Sequence, residues 1–586
     1  MHCEESLRKN GQHMAYIDRF NFKMDSLGRI RRLKHDNNRV GENWPVVYVL
    51  NNNKSAYVGE TVNAARRAEQ HLANPAKKKL TEIRIISDND FNKSVILDLE
   101  SYLIKHMAAD GKYTLLNGNN GIQDHEYYER SRYEEEFREI WKELRRLKVV
   151  KNSIEFIENS ELFKYSPYKS LGPEQIEAEH DILSAFADHR NDEDGVRIIV
   201  RGGAGTGKTI LAIYLMKLFS DINSKGNSPF IDEYLDEDTE TIYASDNLGG
   251  IQKIGIVLPQ TSLKGTIKDV FRKVDTLKPS MVLGLVDVAK DYIKTGEKFD
   301  LLIVDEAHRL KSRKKGNMAS NGTFKRYCKA LGIDYETGSE LDWIYKCSRH
   351  QILFRDDWQT VRPCDMDAEE FMEVTRRNWN GTLVEQNLFS QWRCKGGKEY
   401  IDYIKDIFTG KADEFVPIEN YDFKLYDDVG KMVEAIRDLD KKHGLCRVVA
   451  GYAWKWNSKK NKKAYDIIID DNKYRWNSTT NNWINKDCSK HEIGCIHTVQ
   501  GYDLNYTGVI IGEDIKYDPE RGCIVADKNN YYDSLGKAGV SDNPDALKDY
   551  LINIYATLMS RGVLGTFVYV CDPALKEYME HFIDKA

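Results

Sequence analysis

Eight residues, 202–209, combine the residue types that bind phosphate, in the order Gly-Gly-Ala-Gly-Thr-Gly-Lys-Thr. They fit the pattern G-x-x-x-x-G-K-T and lie between an apolar run at residues 197–200 and a helical run at residues 210–219. In such a loop the glycines let backbone N–H groups surround the phosphates, the lysine reaches the β and γ phosphates, and the threonine holds Mg²⁺. The sequence therefore predicts a triphosphate site made of Gly202, Gly203, Ala204, Gly205, Thr206, Gly207, Lys208 and Thr209.

An acidic pair follows the apolar run at residues 301–304, in the order Asp305-Glu306-Ala307-His308. Parallel sheets bind their ligands at the carboxyl ends of the strands, which is where this pair would lie. We expect Asp305 to complete the Mg²⁺ coordination begun by Thr209, and Glu306 to orient or deprotonate the attacking water. The two motifs together predict hydrolysis of a nucleoside triphosphate.

The elements that position these residues belong to an alternating pattern that begins near residue 165. Short apolar runs alternate there with longer helical stretches, which is typical of parallel sheets with helices on both faces. The runs lie at residues 197–200, 254–258, 301–304, 351–354, 447–450, 508–511 and 566–570. Because they exceed what one sheet accommodates, we predict two tandem α/β domains, at residues 165–375 and 376–586.

Further motifs between residues 160 and 580 resemble those of superfamily 1 helicases, and most closely the branch whose ATPase region is similar to that of the schlafen proteins. Gln175 matches the upstream glutamine that contacts adenine in that superfamily. The other matches are Leu-Pro-Gln-Thr-Ser-Leu at 258–263, Asp-Asp-Trp-Gln at 356–359, Ser-Gln-Trp-Arg-Cys at 390–394, Ile-His-Thr-Val-Gln-Gly-Tyr-Asp at 496–503 and Tyr-Ala-Thr-Leu-Met-Ser-Arg at 555–561.

This resemblance implies two RecA-like sheets that flank one ATP with its Mg²⁺. Gln359 would sense the γ-phosphate, and Gly501 would belong to the fifth motif at the nucleotide. Arg393 and Arg561 would reach the transition-state charge from the second domain as arginine fingers. Opening and closing of the cleft with each ATP would then move a nucleic-acid strand that lies across both domains.

Residues 44–120 resemble the GIY-YIG nuclease family. Two short tripeptides separated by a turn correspond to the signature, and Arg67 and His71 follow the second tripeptide at a spacing that places both on one face of a helix. The matched positions are Val46-Val47-Tyr48, Tyr57-Val58-Gly59, Arg67, His71, Glu100 and Asn117. Val-Val replaces the Gly-Ile of the first tripeptide, which weakens the match but keeps its tyrosine.

The nuclease resemblance also implies roles for these residues. In that family a carboxylate such as Glu100 binds one divalent metal, Mg²⁺ or Mn²⁺, and an arginine such as Arg67 stabilises the scissile phosphate. A tyrosine or histidine takes the proton from water, which assigns that step to Tyr48, Tyr57 or His71. These are the parts that phosphodiester hydrolysis requires. A degenerate nucleic-acid-binding relic and an unrelated α/β domain remain the alternatives.

The nuclease-like domain would occupy residues 1–122, with its core at 44–120. A charged helix whose apolar residues repeat at three- and four-residue spacing follows it, and we expect a helical linker at residues 123–164. The complete prediction is an α/β chain in which a small GIY-YIG-like domain precedes two RecA-like parallel-sheet domains.

The net charge of −6 does not decide whether the chain binds nucleic acid, because phosphates are held by local basic patches. Acidic residues concentrate at 232–240, whereas residues 307–326 contain seven basic and no acidic residues. We expect a groove with basic and aromatic side chains to hold the strand. Its candidates are Trp358, Trp392, Trp454, Trp456, Lys455, Lys459, Lys460, Lys462, Lys463 and the basic residues at 309–315. Each tryptophan has a core position as its alternative.

Composition excludes several classes of protein. Hydrophobic residues make up 41% and charged residues 30%, and no apolar run approaches the about 20 residues needed to cross a bilayer. The first residues lack a basic and then apolar segment typical of export, and the ten cysteines form no C-x-x-C pair, which favours reduced thiols. We therefore predict a cytoplasmic protein without a membrane partner. The order Cys488, His491, Cys495, His497 does not match a zinc motif.

The leading hypothesis is an ATP-dependent nuclease–helicase or translocase that moves on nucleic acid and cuts it, in anti-phage defence or DNA repair. DNA is favoured over RNA because both family resemblances most often involve DNA. The alternative is an ATP-gated nucleic-acid-binding platform whose nuclease-like domain is inactive. A P-loop kinase or GTPase needs neither the second sheet nor Arg561, and no guanine-contacting N-K-x-D motif is present.

Overall fold

The computed structural model describes residues 15–75, 77–117, 127–169, 171–189, 192, 194–223, 251–259, 261–312, 322–356, 365–377, 379–391, 394–479, 483–499, 502–537, 540 and 542–586. They fall into two compact units. The first unit covers Met1–Ala187, Ile213–Ile254 and Thr266–Val282, and the second covers Asp188–Ala212, Gly255–Gly265 and Leu283–Ala586. Across the described ranges, every helix is too short or too polar to traverse a bilayer.

A mixed sheet forms the centre of the first unit. Its strands in the described residues are β1 (Tyr16–Asn21), β2 (Val46–Asn51), β3 (Ser55–Thr61), β4 (Glu82–Ser87) and β5 (Thr114–Leu115). Their order is β1-β4-β2-β3-β5, with antiparallel pairs except for β3 and β5, which run parallel. Strand β2 is buried along its whole length, as its apolar sequence requires.

Helices cover this sheet and extend beyond it. They are α1 (Met24–Arg31), α2 (Ala64–Ala73), α3 (Lys93–Asp110), α4 (Arg130–Arg146), α5 (Ile154–Glu158) and α6 (Glu161–Lys164). Asparagine caps start two of them, since Asn63 accepts from the Arg66 amide and Asn92 from the Val95 amide. Helix α3 packs against β3 and ends where Gly111 takes a left-handed conformation.

The second unit contains two parallel sheets. Strands of the first are β6 (Val196–Gly202), β7 (Ile254–Val257), β8 (Val282–Leu283), β9 (Phe299–Val304), β10 (Ser348–Arg355) and β11 (Thr382–Leu388). Their order is β11-β6-β10-β9-β7-β8, and the central pairs β11–β6, β6–β10 and β10–β9 are parallel. The carboxyl ends of β6, β10 and β9 are therefore neighbours at one edge.

The second parallel sheet follows along the chain. Its strands are β12 (Asp422–Leu425), β13 (Arg447–Ala450), β16 (Gly494–Cys495), β17 (Leu504–Ile511), β20 (Gly562–Val570) and β21 (Asp584–Lys585). The order is β16-β13-β17-β20-β12-β21, and each of these pairs is parallel. Two antiparallel hairpins accompany it, β14 (Ile467–Ile469) with β15 (Asn472–Tyr474), and β18 (Ile515–Asp518) with β19 (Cys523–Ala526).

The remaining helices connect and cover these sheets. Helices α7 (Pro173–His189), α8 (Lys208–Asn223) and α9 (Thr261–Phe271) have residues in both units. The others are α10 (Leu285–Thr295), α11 (Gly322–Leu331), α12 (Glu340–Cys347), α13 (Ala368–Arg376), α14 (Gly397–Thr409), α15 (Val429–His443), α16 (Ile496–Val499), α17 (Ser534–Lys537), α18 (Pro544–Met559) and α19 (Pro573–Met579). Short 3₁₀ helices lie at Pro279–Met281, Ala307–Arg309, Trp483–Asn485 and Asp487–Lys490.

All seven apolar runs from residue 197 onward are strands, so the prediction of two parallel sheets in an α/β chain is confirmed. Buried aliphatic and aromatic side chains fill the space beside each sheet, for example Leu302 and Leu353 beside the first and Val509 and Leu551 beside the second. The predicted domain limits at 122, 164 and 375 stay predictions.

Candidate functional site

The glycine-rich loop leaves the carboxyl end of β6 and enters the first turn of α8. Gly205 and Gly207 have φ angles of 83° and 80°, a region that side chains disfavour. At Gly202 an added Cβ would lie 2.4 Å from the Thr206 hydroxyl oxygen. Glycine is therefore required at these three positions by the path of the chain, which bends tightly enough to surround a small group.

The Lys208 ammonium is buried inside this loop. Its Nζ donates to the carbonyl oxygens of Gly202 at 2.8 Å and Gly203 at 2.7 Å, and lies 3.4 Å from Oδ2 of Asp356. Asp356 follows β10 directly and is itself buried. The positive charge is thus held at the sheet edge where a phosphate chain would enter.

Two oxygen ligands for a divalent cation meet beside the lysine. The Thr209 hydroxyl donates to Oδ2 of Asp305 at 2.7 Å, and Asp305 follows the end of β9. Burial, together with the neighbouring Glu306 carboxylate, raises the pKa of Asp305 above its usual range. A hydroxyl and a carboxylate at this spacing suit Mg²⁺, and the glycine loop and Lys208 suit a triphosphate, so the residues present fit Mg²⁺–ATP.

Glu306 is held next to a histidine and an arginine. Its Oε2 lies 3.0 Å from Nε2 of His308 and 3.4 Å from Nε of Arg309, and its backbone has a φ of 53°. Burial acts to raise the pKa of Glu306, but His308, Arg309 and Lys208 outweigh it and lower that pKa below the usual range. Glu306 is therefore an ionised acceptor.

His308 connects two strand ends at this edge. Its Nδ1 accepts the backbone N–H of Asp356 at 3.2 Å, so in the neutral ring the proton is on Nε2, which faces Glu306. One fully buried imidazole thus contacts the acidic pair after β9 and the backbone after β10. The sequence analysis gave His308 no role, and its position two residues after Glu306 was the available signal.

The other predicted nucleotide residues are only partly described. Gln359, Arg393 and Gly501 lie outside the described residues. The side-chain amide of Gln391, in the fourth motif, donates to the carbonyl of Ala204 in the loop, so the residues after β11 contact the loop that follows the neighbouring strand β6 of the same sheet. Arg561 is buried after α18, where its Nε donates to the Thr557 carbonyl at 3.2 Å. Gln175 begins α7 and accepts the Gly172 amide at 2.9 Å.

A second cluster lies on the β2–β3 hairpin of the first unit. Tyr48 pairs with Gly59 in the register of the two strands, and its hydroxyl lies 2.7 Å from Nε2 of His71. Arg67 donates to the same hydroxyl oxygen at 3.3 Å. An added Cβ at Gly59 would lie 2.2 Å from that oxygen, so the tyrosine ring occupies the space that a side chain there would take. The structure thus brings Tyr48, Arg67 and His71 together.

The imidazole in this cluster is neutral. Burial, the Lys77 ammonium and the Arg67 guanidinium lower the pKa of His71 to about 2. Since Arg67 already donates to the Tyr48 oxygen, the hydroxyl directs its own proton to the lone pair on Nε2 of His71. His71 is therefore a neutral hydrogen-bond acceptor that orients the Tyr48 hydroxyl.

Lys77 is a member of this cluster that the sequence analysis missed. Its buried ammonium lies 3.4 Å from the centroid of the Tyr57 ring, and that ring lies 5.2 Å from the His71 ring. Lys77 lies in a turn after α2, where no spacing rule links it to Tyr57. Glu100 is half-buried on α3, and the side-chain amide of Asn117 bonds both backbone groups of Val58.

The predicted strand-binding residues differ in placement. Trp454 and Trp456 are half-buried, with their rings 6.4 Å and 6.1 Å from that of Trp476, so they pack on the fold. The neighbouring lysines are exposed: Lys455, Lys459, Lys460, Lys462 and Lys463. Trp358, Trp392, the acidic segment 232–240 and most of the basic segment after Ser312 lie outside the described residues.

Two side chains of the sequence Cys488, His491, Cys495, His497 make contacts within the fold. Nε2 of His497 lies 2.7 Å from Oδ2 of Asp533, and Sγ of the buried Cys495 lies 3.2 Å from the Thr498 hydroxyl. In the described part of the chain, histidine, cysteine and carboxylate side chains form no group of three suited to a metal ion.

Comparisons with known proteins bear on the second unit above all. The uncharacterised protein YPL245W of Saccharomyces cerevisiae (strain ATCC 204508 / S288c) is 28% identical over 407 residues, which is 65% of this chain and 82% of that protein. Among solved structures, a Bacteroides Pif1 helicase crystallised with ADP-AlF3 and ssDNA has 12% identity and a TM-score of 0.26 over 70% of this chain and 94% of its own. An Arterivirus nonstructural protein 10 helicase has 10% identity and a TM-score of 0.26 over 68% and 63%.

TM-scores of 0.26 are too low to support any argument beyond the two parallel sheets already described. The family comparison is decisive, because the model described as Schlafen group 3, DNA/RNA helicase domain matches residues 196–572, more than half of the 586 residues. The matched range begins at β6 and contains the glycine loop, the acidic pair and both parallel sheets. The chain therefore belongs to the Schlafen group 3 DNA/RNA helicase domain family, whose helicase-type domains are of the ATP-binding, nucleic-acid-binding class.

Proposed function

We propose that the protein hydrolyses ATP to translocate along nucleic acid and that its first unit cleaves phosphodiester bonds. The observation that carries the motor is the meeting of Lys208, Thr209, Asp305 and Glu306 at adjacent strand ends, in a chain of a helicase family. DNA is the proposed polymer, and the cytoplasm the proposed location.

Each residue at the ATP site has a separate task in this proposal. Lys208 neutralises the phosphate chain, and the Thr209 hydroxyl and Asp305 carboxylate hold Mg²⁺, which when bound offsets charge on the β and γ phosphates. Glu306 is ionised, so it accepts a hydrogen bond from the attacking water and orients it. Gln175 contacts adenine, and Gln359 and Gly501 complete the nucleotide contacts.

The second sheet supplies the transition-state charge in this scheme. Arg393 and Arg561 act as arginine fingers, and the support for Arg393 is that Gln391, two residues before it in the sequence, contacts Ala204 in the loop. A strand lying across both sheets would then move with each hydrolysis. The exposed lysines of residues 455–463 extend the track with positive charge.

Cleavage is assigned to the tyrosine cluster. Tyr48, oriented by its hydrogen bond to His71, takes the proton from water, while Arg67 stabilises the scissile phosphate. Tyr57, held under Lys77, shapes the site. Glu100 provides the carboxylate that would hold Mg²⁺ or Mn²⁺, a Lewis acid for the phosphate when bound. The support for this step is that the Tyr48 hydroxyl lies 2.7 Å from the accepting imidazole and 3.3 Å from the guanidinium.

One observation favours the alternative, an ATP-gated nucleic-acid-binding platform with an inactive nuclease-like domain. The side chains of Tyr48 and Tyr57 are only 1% and 2% exposed, so a water or phosphate reaches them poorly in this conformation. Under this alternative the positive charges of Arg67 and Lys77 anchor a strand without cutting it.

A single set of assays separates these functions. The purified chain is incubated with labelled single- and double-stranded DNA and RNA and Mg²⁺, with and without ATP. We expect ATP turnover that nucleic acid stimulates and nicks on DNA. ATP turnover without nicks refutes the cleavage assignment, and if strand displacement is absent as well, the result favours the platform. The absence of stimulated turnover on every polymer refutes the motor.

The biological setting is proposed as defence against foreign DNA or DNA repair. It follows from the pairing of a motor with a cutting domain in one chain. Deletion should change sensitivity to phage infection or to DNA damage in the host, and unchanged phage plaquing together with unchanged damage survival would refute both settings.

A further inference from the structure

A pocket of about 330 Å³ lies in the first unit between α3, α4 and the short helices α5 and α6. Five residues of α3 line it at the spacing of one helix face, and Glu100 falls off that face. The pocket is thus separate from the tyrosine cluster. Its lining residues on α3 are Asp98, Ser101, Tyr102, Lys105 and His106.

The charges of the lining balance one another. Its carboxylates are Asp98, Glu134 and Glu158, and its cations are Lys105, Arg130 and Arg138. Several are paired across the pocket, with Arg138 3.0 Å from Glu158 and Arg130 3.5 Å from Asp98. Paired charges of equal number give no net attraction for a phosphate or a cation. A ligand of this pocket is therefore neutral.

Two buried polar atoms at its wall have no hydrogen-bond partner among the described residues, the Tyr102 hydroxyl and Nε2 of His106. His106 is 3% exposed, and its Nδ1 donates to the Tyr102 carbonyl at 2.7 Å. With the ring proton on Nδ1, Nε2 has a lone pair that can accept, and Oε1 of Glu158 lies 3.8 Å from it, beyond hydrogen-bond distance. A buried acceptor and a buried hydroxyl donor without partners are costly in a folded protein, and each is satisfied by a ligand.

Aromatic rings surround these two atoms. The Tyr102 and His106 rings lie 4.0 Å apart, the Phe137 ring 5.5 Å from Tyr102, and the Phe163 ring 5.0 Å from His106. The rings thus pack on one another, and the half-buried Tyr102 and Phe163 have ring surface on which a planar ligand can stack. The volume is at the lower end for small-molecule sites, which suits one or two rings with a small substituent.

We infer that this pocket binds the base of a nucleoside, through an N–H group to Nε2 of His106 and an adjacent C=O group to the Tyr102 hydroxyl. A free nucleoside and an unstacked base of a nucleic-acid strand share this chemistry. The inference is independent of ATP hydrolysis and of cleavage, so either can fail without the other.

The test measures binding of uridine to the full chain by isothermal titration calorimetry. Saturating ADP is present throughout to occupy the glycine loop, so that uridine binding at the loop does not contribute to the measured heat. We expect saturable binding, and at least tenfold weaker binding of 3-methyluridine, whose N–H donor to His106 is blocked. No uridine binding up to about 10 mM, a limit near −3 kcal/mol, overturns the inference. Equal binding of the two nucleosides overturns it as well.

Tyr102→Phe removes the hydroxyl alone and breaks no bond within the described residues, so folding is preserved. It should weaken uridine binding about fivefold, the worth of one hydrogen bond. Tyr133→Phe is the matched control, because its hydroxyl donates to Asp90 outside the pocket, and its affinity should equal that of the wild type. Equal affinity of Tyr102→Phe and the wild type refutes the assignment.

A short oligouridylate separates the two sources of the base. Competition with uridine assigns the pocket to a base of a strand, and lack of competition assigns it to a free nucleoside. Either competition result supports the inference only if Tyr102→Phe also binds uridine more weakly than the wild type does.

Discussion

The loop at residues 202–209 and the β2–β3 hairpin both hold groups suited to phosphate chemistry, but they control charge differently. At the loop, Lys208 lies among oxygen atoms and Glu306 is kept ionised by His308 and Arg309. At the hairpin, burial together with Lys77 and Arg67 keeps His71 neutral, and Tyr48 directs its proton to it. A histidine therefore supports a carboxylate at one site and accepts a hydrogen bond from a tyrosine at the other.

The two sites also differ in how far apart their residues lie along the chain. The loop site gathers the ends of β6, β9 and β10, which are neighbours in the sheet though distant in sequence. The tyrosine cluster is contained within residues 48–77. The difference suggests that the loop responds to movement of the whole sheet edge, whereas the cluster is fixed by one hairpin and one helix.

The sharpest way to separate the sites is Lys208→Ala. It removes the only charge within the glycine loop, and we expect the turnover number for ATP hydrolysis to fall at least about 100-fold. Cleavage of a short substrate without ATP should keep its rate, because the tyrosine cluster is unchanged. The measurements are ATPase turnover and nicking of the same preparation, with the exposed Lys290→Ala as control. Equal loss of both activities would show that the sites act as one.

The converse variant is Tyr48→Phe. It removes the hydroxyl that Arg67 and His71 share, and cleavage should fall about 100-fold because a positioned proton acceptor typically contributes that much. ATP turnover should be unaffected. The exposed Tyr128→Phe serves as the matched control. Unchanged cleavage with Tyr48→Phe would remove the nuclease role from the Tyr48 hydroxyl and place the catalytic groups elsewhere in the chain.

Much of this arrangement was available from residue types alone. The centres of β6, β9 and β10, at residues 198–200, 301–304 and 352–354, are continuously apolar because both faces of those strands are covered, and a buried strand of that kind is evident in the sequence. Strand β11, Thr382–Leu388, escaped prediction because it lies at the sheet edge and carries Glu385 and Gln386 among its apolar residues.

The contacts that could not be predicted from the sequence are those between turns that lie far apart along the chain. Lys77 reaches Tyr57 from a turn, and His308 reaches the amide of Asp356 from another strand end. Neither follows a helical or strand spacing, so no periodicity reports it. Motifs with fixed spacing revealed the residues that hold a ligand, but the residues that orient those groups required the fold.

His308→Ala tests how the carboxylate site is oriented. Without the imidazole, Glu306 loses its neighbour at 3.0 Å, and the Asp356 amide loses the acceptor that His308 provides. The turnover number for ATP should therefore fall about tenfold with little change in KM. His308→Gln retains an N–H donor and should recover part of the rate. The exposed His581→Ala is the control. A raised KM at unchanged turnover would place His308 in ATP binding.

The smallest expected effect concerns the neutral His71 imidazole at the β2–β3 hairpin. It is measured as the pH dependence of the free energy of unfolding. The unfolded chain protonates His71 below its ordinary pKa of 6.5, whereas the folded chain does so only near 2. The unfolded state therefore binds more protons between these values, and the free energy of unfolding falls as the pH is lowered through them.

From pH 7 to pH 5 the His71 contribution to this loss is about 2 kcal/mol, since 1.36 kcal/mol corresponds to each unit below the unfolded pKa. Urea unfolding at both pH values should show a smaller loss for His71→Gln than for the wild type, while His581→Gln should match the wild type. Equal losses for His71→Gln and the wild type would mean that Arg67 and Lys77 do not keep this imidazole neutral. Tyr48 would then face a cation in place of a proton acceptor, and the contrast between the two sites would disappear.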